Sequence, residues 1–427
     1  MENDRRGHLD RHLSRIVSMN GVASRGVMCA LVVVAVTLAA CSSPPPVVSA
    51  PTTIGIARTT TPPSPPPSTT TTLPKLSGFL AQSASFVTAN DGYVLGVVPC
   101  SSGACLALRH TNDRGASWTT VTPPPTTLGD ASNTTGVSNL QFADTEDGWA
   151  FGPALWATHD GGIHWQTVDI GGTVVAMGSG AGTAYAVVVE PCQSGEVQCG
   201  YAGHLFRSPA GQDHWTEVPN VSGQFAPDSS SLVVEGQTVY LLTSYPNSQL
   251  LSSSDGIHFA PLAIPCSPKA NQIGPFVPTD VAASDPDDVA VACLGGAGAG
   301  SQQKEVFISH DGGHTYEGLP EPPMGGDGAE LAMPAPSTLL VGSSSAASWV
   351  YRIVQSVPTW TMPVSFPDGG VGLGDLTFVD PAHGVFIHAM ATVALSILSS
   401  TNRPTRLGTL YETDDGGVDW YPVNIPT

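Results

Sequence analysis

Thr158-His-Asp160-Gly-Gly162-Ile-His-Trp165 is the stretch whose reading decides the fold. The same phrase stands at Thr111-Asn-Asp113-Arg-Gly115-Ala-Ser-Trp118, at Ser309-His-Asp311-Gly-Gly313-His-Thr-Tyr316 and at Thr413-Asp-Asp415-Gly-Gly417-Val-Asp-Trp420. A phrase repeated at such intervals predicts an array of like supersecondary units. Each part has a physical task in a hairpin turn. The Asp carboxylate accepts the turn's own backbone N–H groups. The Gly takes the positive φ the turn needs. The aromatic starts the next strand and fills the space between neighbouring sheets. Asp113, Trp118, Asp160, Trp165, Asp311, Tyr316, Asp415 and Trp420 are therefore expected to be structural, because an active site is seldom built several times.

The pattern resembles the Asp-box (BNR) repeat of sialidase-type β-propellers. Worn copies extend it. Ser208 to Trp215 has Ala210 where the Asp belongs, Ser253-Ser-Asp255-Gly-Ile-His-Phe259 is one residue short, and only the aromatic is left near Trp360. Successive aromatic anchors lie 47, 50, 44, 57, 44 and 60 residues apart, the size of a four-stranded blade. The expected fold is all-β: a single seven-bladed β-propeller over 76–427, with six or eight blades also fitting the anchors. Ring closure is expected by apposition of the two ends, with Leu76 to Leu80 as a candidate edge strand.

The N-terminus reads as an address. Basic residues precede an apolar run from Val27 to Ala40, too short for a bilayer span and suited to a signal-peptide core. Leu38-Ala-Ala-Cys41 resembles the bacterial lipobox, whose Cys becomes the lipidated N-terminus, so 1–40 is expected to be a signal peptide and Cys41 a lipid anchor. Translation is expected to start at Met1 or at Met19, the latter giving a signal of ordinary length. From 41 to 75 the chain is rich in Pro, Thr and Ser, a composition that buries too little to fold and favours an extended stalk. The expected location is the extracytoplasmic side of a bacterial cell membrane.

Cysteine usage agrees with an oxidising compartment. Beyond Cys29 and Cys41, six cysteines are expected to form Cys100–Cys105, Cys192–Cys199 and Cys266–Cys293. No Cys-x-x-Cys or clustered His favours a metal, and no nucleotide-loop, zinc-protease or Gly-x-Ser-x-Gly motif is present, so no cofactor is expected. From Leu76 onward eight Lys and Arg face 32 Asp and Glu, a net of −24. That field disfavours nucleic acid and anionic membrane surfaces as partners and is compatible with cationic ligands, metals or neutral glycans, so no nucleic-acid partner is expected. A monomer held to the membrane by its lipid alone is expected.

The boxes lie between third and fourth strands. Pro99 to Cys105, Pro191 to Tyr201, Gly295 to Gln303 and Ser396 to Gly408 are read as insertions between second and third strands. Pro123 to Ser138 and Pro320 to Gly328 are read as insertions between blades. All of them map to the face away from the boxes, and long braced loops are where function concentrates. Tyr201, Tyr245, Arg403 and Arg406 are the candidate contacts there, being of the types favoured at interfaces.

A sialidase resemblance implies three converging arginines and a Tyr nucleophile with acidic partners. Arg109, Arg114, Arg207, Arg352, Arg403 and Arg406 are the arginines beyond Leu76, and their positions do not converge: Arg114 is within a box, and Arg109, Arg207 and Arg352 just precede boxes. The phrasing Phe-x-Asp…Gly-Trp-Ala-x-Gly…Thr-x-Asp-Gly-Gly-x-x-Trp is also similar to the photosystem II assembly and stability factor-like propellers, which implies a binding role. The expected function is a non-catalytic, envelope-anchored scaffold binding a protein or cell-envelope glycan through the loop face, with no catalytic residues. An exo-acting, sialidase-like glycosidase is the alternative.

Overall fold

In the computed structural model, residues 78–427 are described except 102, 130–134, 191–201, 226–229, 244–246, 267–274, 368–369 and 391–406. The described residues hold 28 strands, β1 to β28, and no helix. The strands form five four-stranded antiparallel sheets and one eight-stranded sheet in which β1–β4 meet β25–β28, so that in chain order they fall into groups of four. Their first strands are β1 (Leu80–Phe86), β5 (Asn139–Phe142), β9 (Thr173–Gly180), β13 (Ser230–Glu235), β17 (Val277–Ala283), β21 (Asp327–Ala335) and β25 (Gly370–Phe378). Each packs against the next, and β25 returns to β1. Four-stranded sheets packed side by side around their first strands are the architecture of a β-propeller.

Burial follows strand order. Second strands such as β10 (Thr183–Val189) and β18 (Val289–Gly298) are packed on both faces and read as apolar runs. Fourth strands such as β8 (Gln166–Thr167) and β20 (Glu317–Gly318) are exposed.

The boxes are closed hydrogen-bonded turns. Thr158 Oγ1 donates to Asp160 Oδ1 (3.0 Å), Gly162 N donates to Thr158 Oγ1 (2.9 Å), and His164 N donates to Asp160 Oδ1 (2.9 Å). The same set recurs around Asp113, Asp311 and Asp415. The His164 backbone and side-chain bonds hold the Asp160 carboxyl down at about 2. Each box also rests on its own group's first hairpin: Arg114, Gly161, Gly312 and Gly416 donate to the carbonyls of Asn90, Glu146, Asp287 and Ala382. Boxes and first hairpins therefore share one face.

The worn box of the third group has found other work. Ala210 is buried, and Ser208 Oγ donates to the Gln212 carbonyl. Asp213 turns outward to the second group, accepting from Trp149 Nε1 (3.2 Å) and Gln166 Nε2 (3.3 Å) and pairing with His159 Nε2 (3.0 Å). His159 Nδ1 pairs with Asp147 (2.7 Å). Burial works against protonation of His159, but the two carboxylates overcome it and raise its pKa. A histidine whose folded pKa lies above the unfolded value of about 6.5 adds stability that is full below that value and lost as pH rises through the folded pKa. His159→Gln is thus expected to lower the urea midpoint more at pH 5.5 than at pH 8.5. Equal losses at the two pH values would show that the clasp is not ionic.

The ring closes at a seam. Ala81 of β1 pairs with Gly408 of β27 (Gly408–Thr413), the single register pair joining the first and seventh groups among the described residues. Arg109 is buried beneath it, with Nε donating to the Pro426 carbonyl (3.2 Å) and its guanidinium 5.3 Å from the Phe79 ring centre. Leu80 opens the innermost strand of the first group, so the described part of the 76–80 segment adds no separate edge strand.

Candidate functional site

The face opposite the boxes is braced on several sides. β2 (Gly92–Cys100) and β3 (Gly103–Thr111) run on into a tight hairpin clipped by a Cys100–Cys105 disulfide. A Cys266–Cys293 disulfide ties the link between the fourth and fifth groups to β18. β18 and β19 (Ser301–Ser309) also pair to within a two-residue turn. Two of the segments read as insertions, Pro99 to Cys105 and Gly295 to Gln303, are therefore extended hairpins: strand pairing satisfies backbone groups that a free loop would leave to water.

A buried lysine organises the neighbouring link. Lys304 on β19 is 2% exposed. Its Nζ donates to the carbonyls of Gln302 (3.1 Å), Met324 (3.2 Å), Gly325 (3.1 Å) and Gly326 (2.7 Å). An ammonium has three protons, so the four carbonyls share them. Burial lowers its pKa to about 8, which leaves it cationic at neutral pH. Gln302 completes the brace: its N donates to Met324 O (3.0 Å), and its side chain bonds Gly295 O and Gly328 N.

Beside this brace, between the first strands of the fourth to seventh groups, lies an open cavity lined by Ser230, Ser231, Thr279, Asp280, Asp327 and Glu330, among others. A second space shares Ser231, Asp280 and Glu330 and reaches Glu235. The carboxylates here have a common geometry. Asp280 Oδ2 accepts Leu331 N (2.7 Å), Glu330 Oε1 accepts Leu376 N (2.8 Å), and Asp375 Oδ2 accepts Ala84 N (2.7 Å) across the seam. Ser83 and Ser85 continue it, accepting Leu140 N (3.1 Å) and Phe142 N (2.8 Å). First strands are sheet edges with unpaired N–H groups; side chains of the preceding group satisfy them.

The Asp280 carboxyl is packed round by protein while its outer edge still touches the cavity; the dense surroundings govern its titration. Burial pushes it up to about 7, against the pull of the Leu331 N–H. The unfolded value is about 3.9. The folded state therefore keeps a proton that the unfolded chain releases, and this stability is lost as pH rises through about 7. Asp280→Asn retains an acceptor oxygen for Leu331 and removes the titration. The stability of the wild type is expected to fall more than that of the variant between pH 5 and pH 8, read from urea midpoints. Parallel pH profiles would contradict this.

Tyr201, Tyr245, Arg403 and Arg406 lie outside the described residues, as do Cys192, Cys199, Cys41 and the whole of 1–77. Of the described arginines, Arg109 and Arg352 serve as braces, Arg352 Nε donating to Gly416 O (2.8 Å). None of the four described arginines lines the cavity. No cluster of three or more metal-ligating side chains occurs among the described residues. Sequence reading missed Lys304 and the Asp280, Glu330 and Asp375 series. The signal for the series is an acid just before a buried aliphatic in each of three first strands, Asp280-Val281, Glu330-Leu331 and Asp375-Leu376.

No family model matches the chain, and no curated protein matches it. Similar solved structures include "YCF48 bound to D1 peptide", at 16% identity over 74% of this chain and 92% of that chain, with a TM-score of 0.48. The β-propeller domain of the Trilobed protease from Pyrococcus furiosus is 8% identical over 82% and 96%, TM-score 0.47. The GH74 xyloglucanase from Xanthomonas campestris is 13% identical over 81% and 73%, TM-score 0.29. None of these passes its activity to this chain.

Proposed function

We propose that this protein is a non-catalytic binding scaffold of the bacterial envelope, built as one seven-bladed propeller and anchored by a lipid on Cys41. Its ligand is a protein or cell-envelope glycan, taken at the face opposite the Asp boxes, with Tyr201, Tyr245, Arg403 and Arg406 among the contacts. The observation that carries this reading is the state of the cavity carboxylates. Asp280 and Glu330 each accept a backbone N–H of the next group, whereas a glycosidase needs two carboxyl groups facing a substrate across roughly 5 to 9.5 Å. The disulfides and the Lys304 cage support it further, because a pre-shaped surface loses less entropy on binding.

Purified protein would be tested for hydrolysis of a panel of sialosides and other glycosides, and for retention on isolated cell-wall glycan. Arg403→Ala with Arg406→Ala is expected to weaken retention and leave the melting temperature unchanged. Turnover of any glycoside would replace this reading with the glycosidase. Cys41→Ser is expected to release the protein from membranes, and persistent membrane association would remove the lipid anchor from the proposal.

A further inference from the structure

We propose a second binding site on the box face, at the seam between the first and seventh groups, for a small free α-amino acid with an apolar side chain. It stands apart from the loop-face reading and lies on the opposite face. The seam holds an open pocket with an apolar floor that includes Phe86, Val379 and Val385 and polar groups that include Arg114, His383, Glu412, Asp414 and Tyr421. Apolar walls with a few convergent polar groups are the usual composition of a small-molecule site.

Three observations point to the ligand's chemistry. Arg114 has φ 61°, whereas the matching box positions Gly161, Gly312 and Gly416 lie at 68°, 70° and 71°. A long side chain is disfavoured in that region, and such outliers gather at ligand clamps. The Arg114 backbone is held by Asn90 O, but its guanidinium makes no hydrogen bond or ion pair with a described residue. Its side chain is exposed at the seam, where its charge acts on Glu412.

Glu412, half-buried on β27, reaches the seam from the other side. A Cβ placed on Gly115 would lie 3.2 Å from Glu412 Oε2, so the carboxyl sits against the Arg114-Gly115 turn. It too makes no hydrogen bond or ion pair with a described residue. Burial raises its pKa, helped by Asp414, while Arg114 and His383 hold it down. His383 is itself committed to Asp380 (2.8 Å). Arg114 thus faces the pocket from the first group and the Glu412 carboxyl from the seventh without an ion pair between them, and Asp414 adds a second carboxyl on the Glu412 side. A ligand bearing a carboxylate and an ammonium on one carbon meets both, and its apolar side chain covers the floor. Tyr421, 55% exposed, supplies a ring at the rim.

The test is calorimetric titration of the full-length protein with leucine, N-acetylleucine and leucinamide. Leucine is expected to bind, and each derivative, lacking one charge, to bind about tenfold more weakly or worse. Arg114→Ala is expected to bind leucine no better than leucinamide, and Glu412→Gln to bind leucine no better than N-acetylleucine. Arg114→Gly relieves the backbone, so it is expected to raise the melting temperature while losing leucine. Absence of leucine binding at millimolar concentration, or equal binding of all three ligands, overturns the proposal. If a variant fails to fold by circular dichroism, the ligand series on the wild type decides alone.

Discussion

Trp149→Ala is expected to destabilise the protein by ~3–5 kcal/mol, the largest loss from any single truncation proposed here. Trp149 is 0% exposed on β6 (Asp147–Phe151) and belongs to the core shared with Ile170, Val174, Met177 and Val188 of the following segment and third group. Its ring meets Trp215 edge-on, with centroids 6.0 Å apart. Removing it opens a cavity between two sheets that cannot close without moving both. It also takes one donor from Asp213. By contrast, Trp165 is half-buried and donates to Thr122 O, so its truncation should cost less. Guanidinium denaturation measures both losses, and a Trp149→Ala loss under about 1 kcal/mol would mean that the sheets do not lean on this ring.

Lys304→Met is expected to cost ~2–4 kcal/mol, because four carbonyls would lose their shared cation. Methionine is unbranched and follows the apolar stem to one atom short of the ammonium, so the loss reports mainly the ammonium. The damage should be local. Hydrogen exchange is expected to quicken at Gln302 N and Gly326 N, which bond Met324 O and Gly300 O, while Gly162 N in its box keeps its protection. Uniform quickening across both faces would mean that Lys304 supports the whole fold and not one link.

The boxes were legible because their chemistry is local: each Asp bonds groups within four residues of itself. The Asp280, Glu330 and Asp375 series was not, since its donors lie 51, 46 and 291 residues away. In a strand, a carboxylate next to a buried aliphatic looks like an ordinary solvent-facing position. Lys304 stands in Ser301-Gln-Gln-Lys-Glu305, a polar run that resembles an exposed strand end. Only the folded link at Met324 to Gly326 shows that the ammonium faces inward. The hairpins clipped and extended at Cys100–Cys105 and Gly295–Gln303 were read as loops because Gly, Ser and Ala dominate there, and strand pairing prevails over that composition. The candidate contacts Tyr201, Tyr245, Arg403 and Arg406 fall outside what the structure describes.

The worn box at Ser208 to Trp215 makes its repeat unlike the others in what it can accept. Its sister repeats carry Asp where Ala210 now lies 5% exposed among Trp149, Ile170 and Met177. An Asp returned to that position would carry its carboxylate into an apolar enclosure. Meanwhile Asp213 has acquired obligations to His159 and Trp149 in the adjoining group. Once a neighbour depends on the replacement, the original letter is no longer a reversion but a fresh injury. The third unit is therefore not interchangeable with its box-bearing sisters, because its own Asp213 is what its neighbour holds.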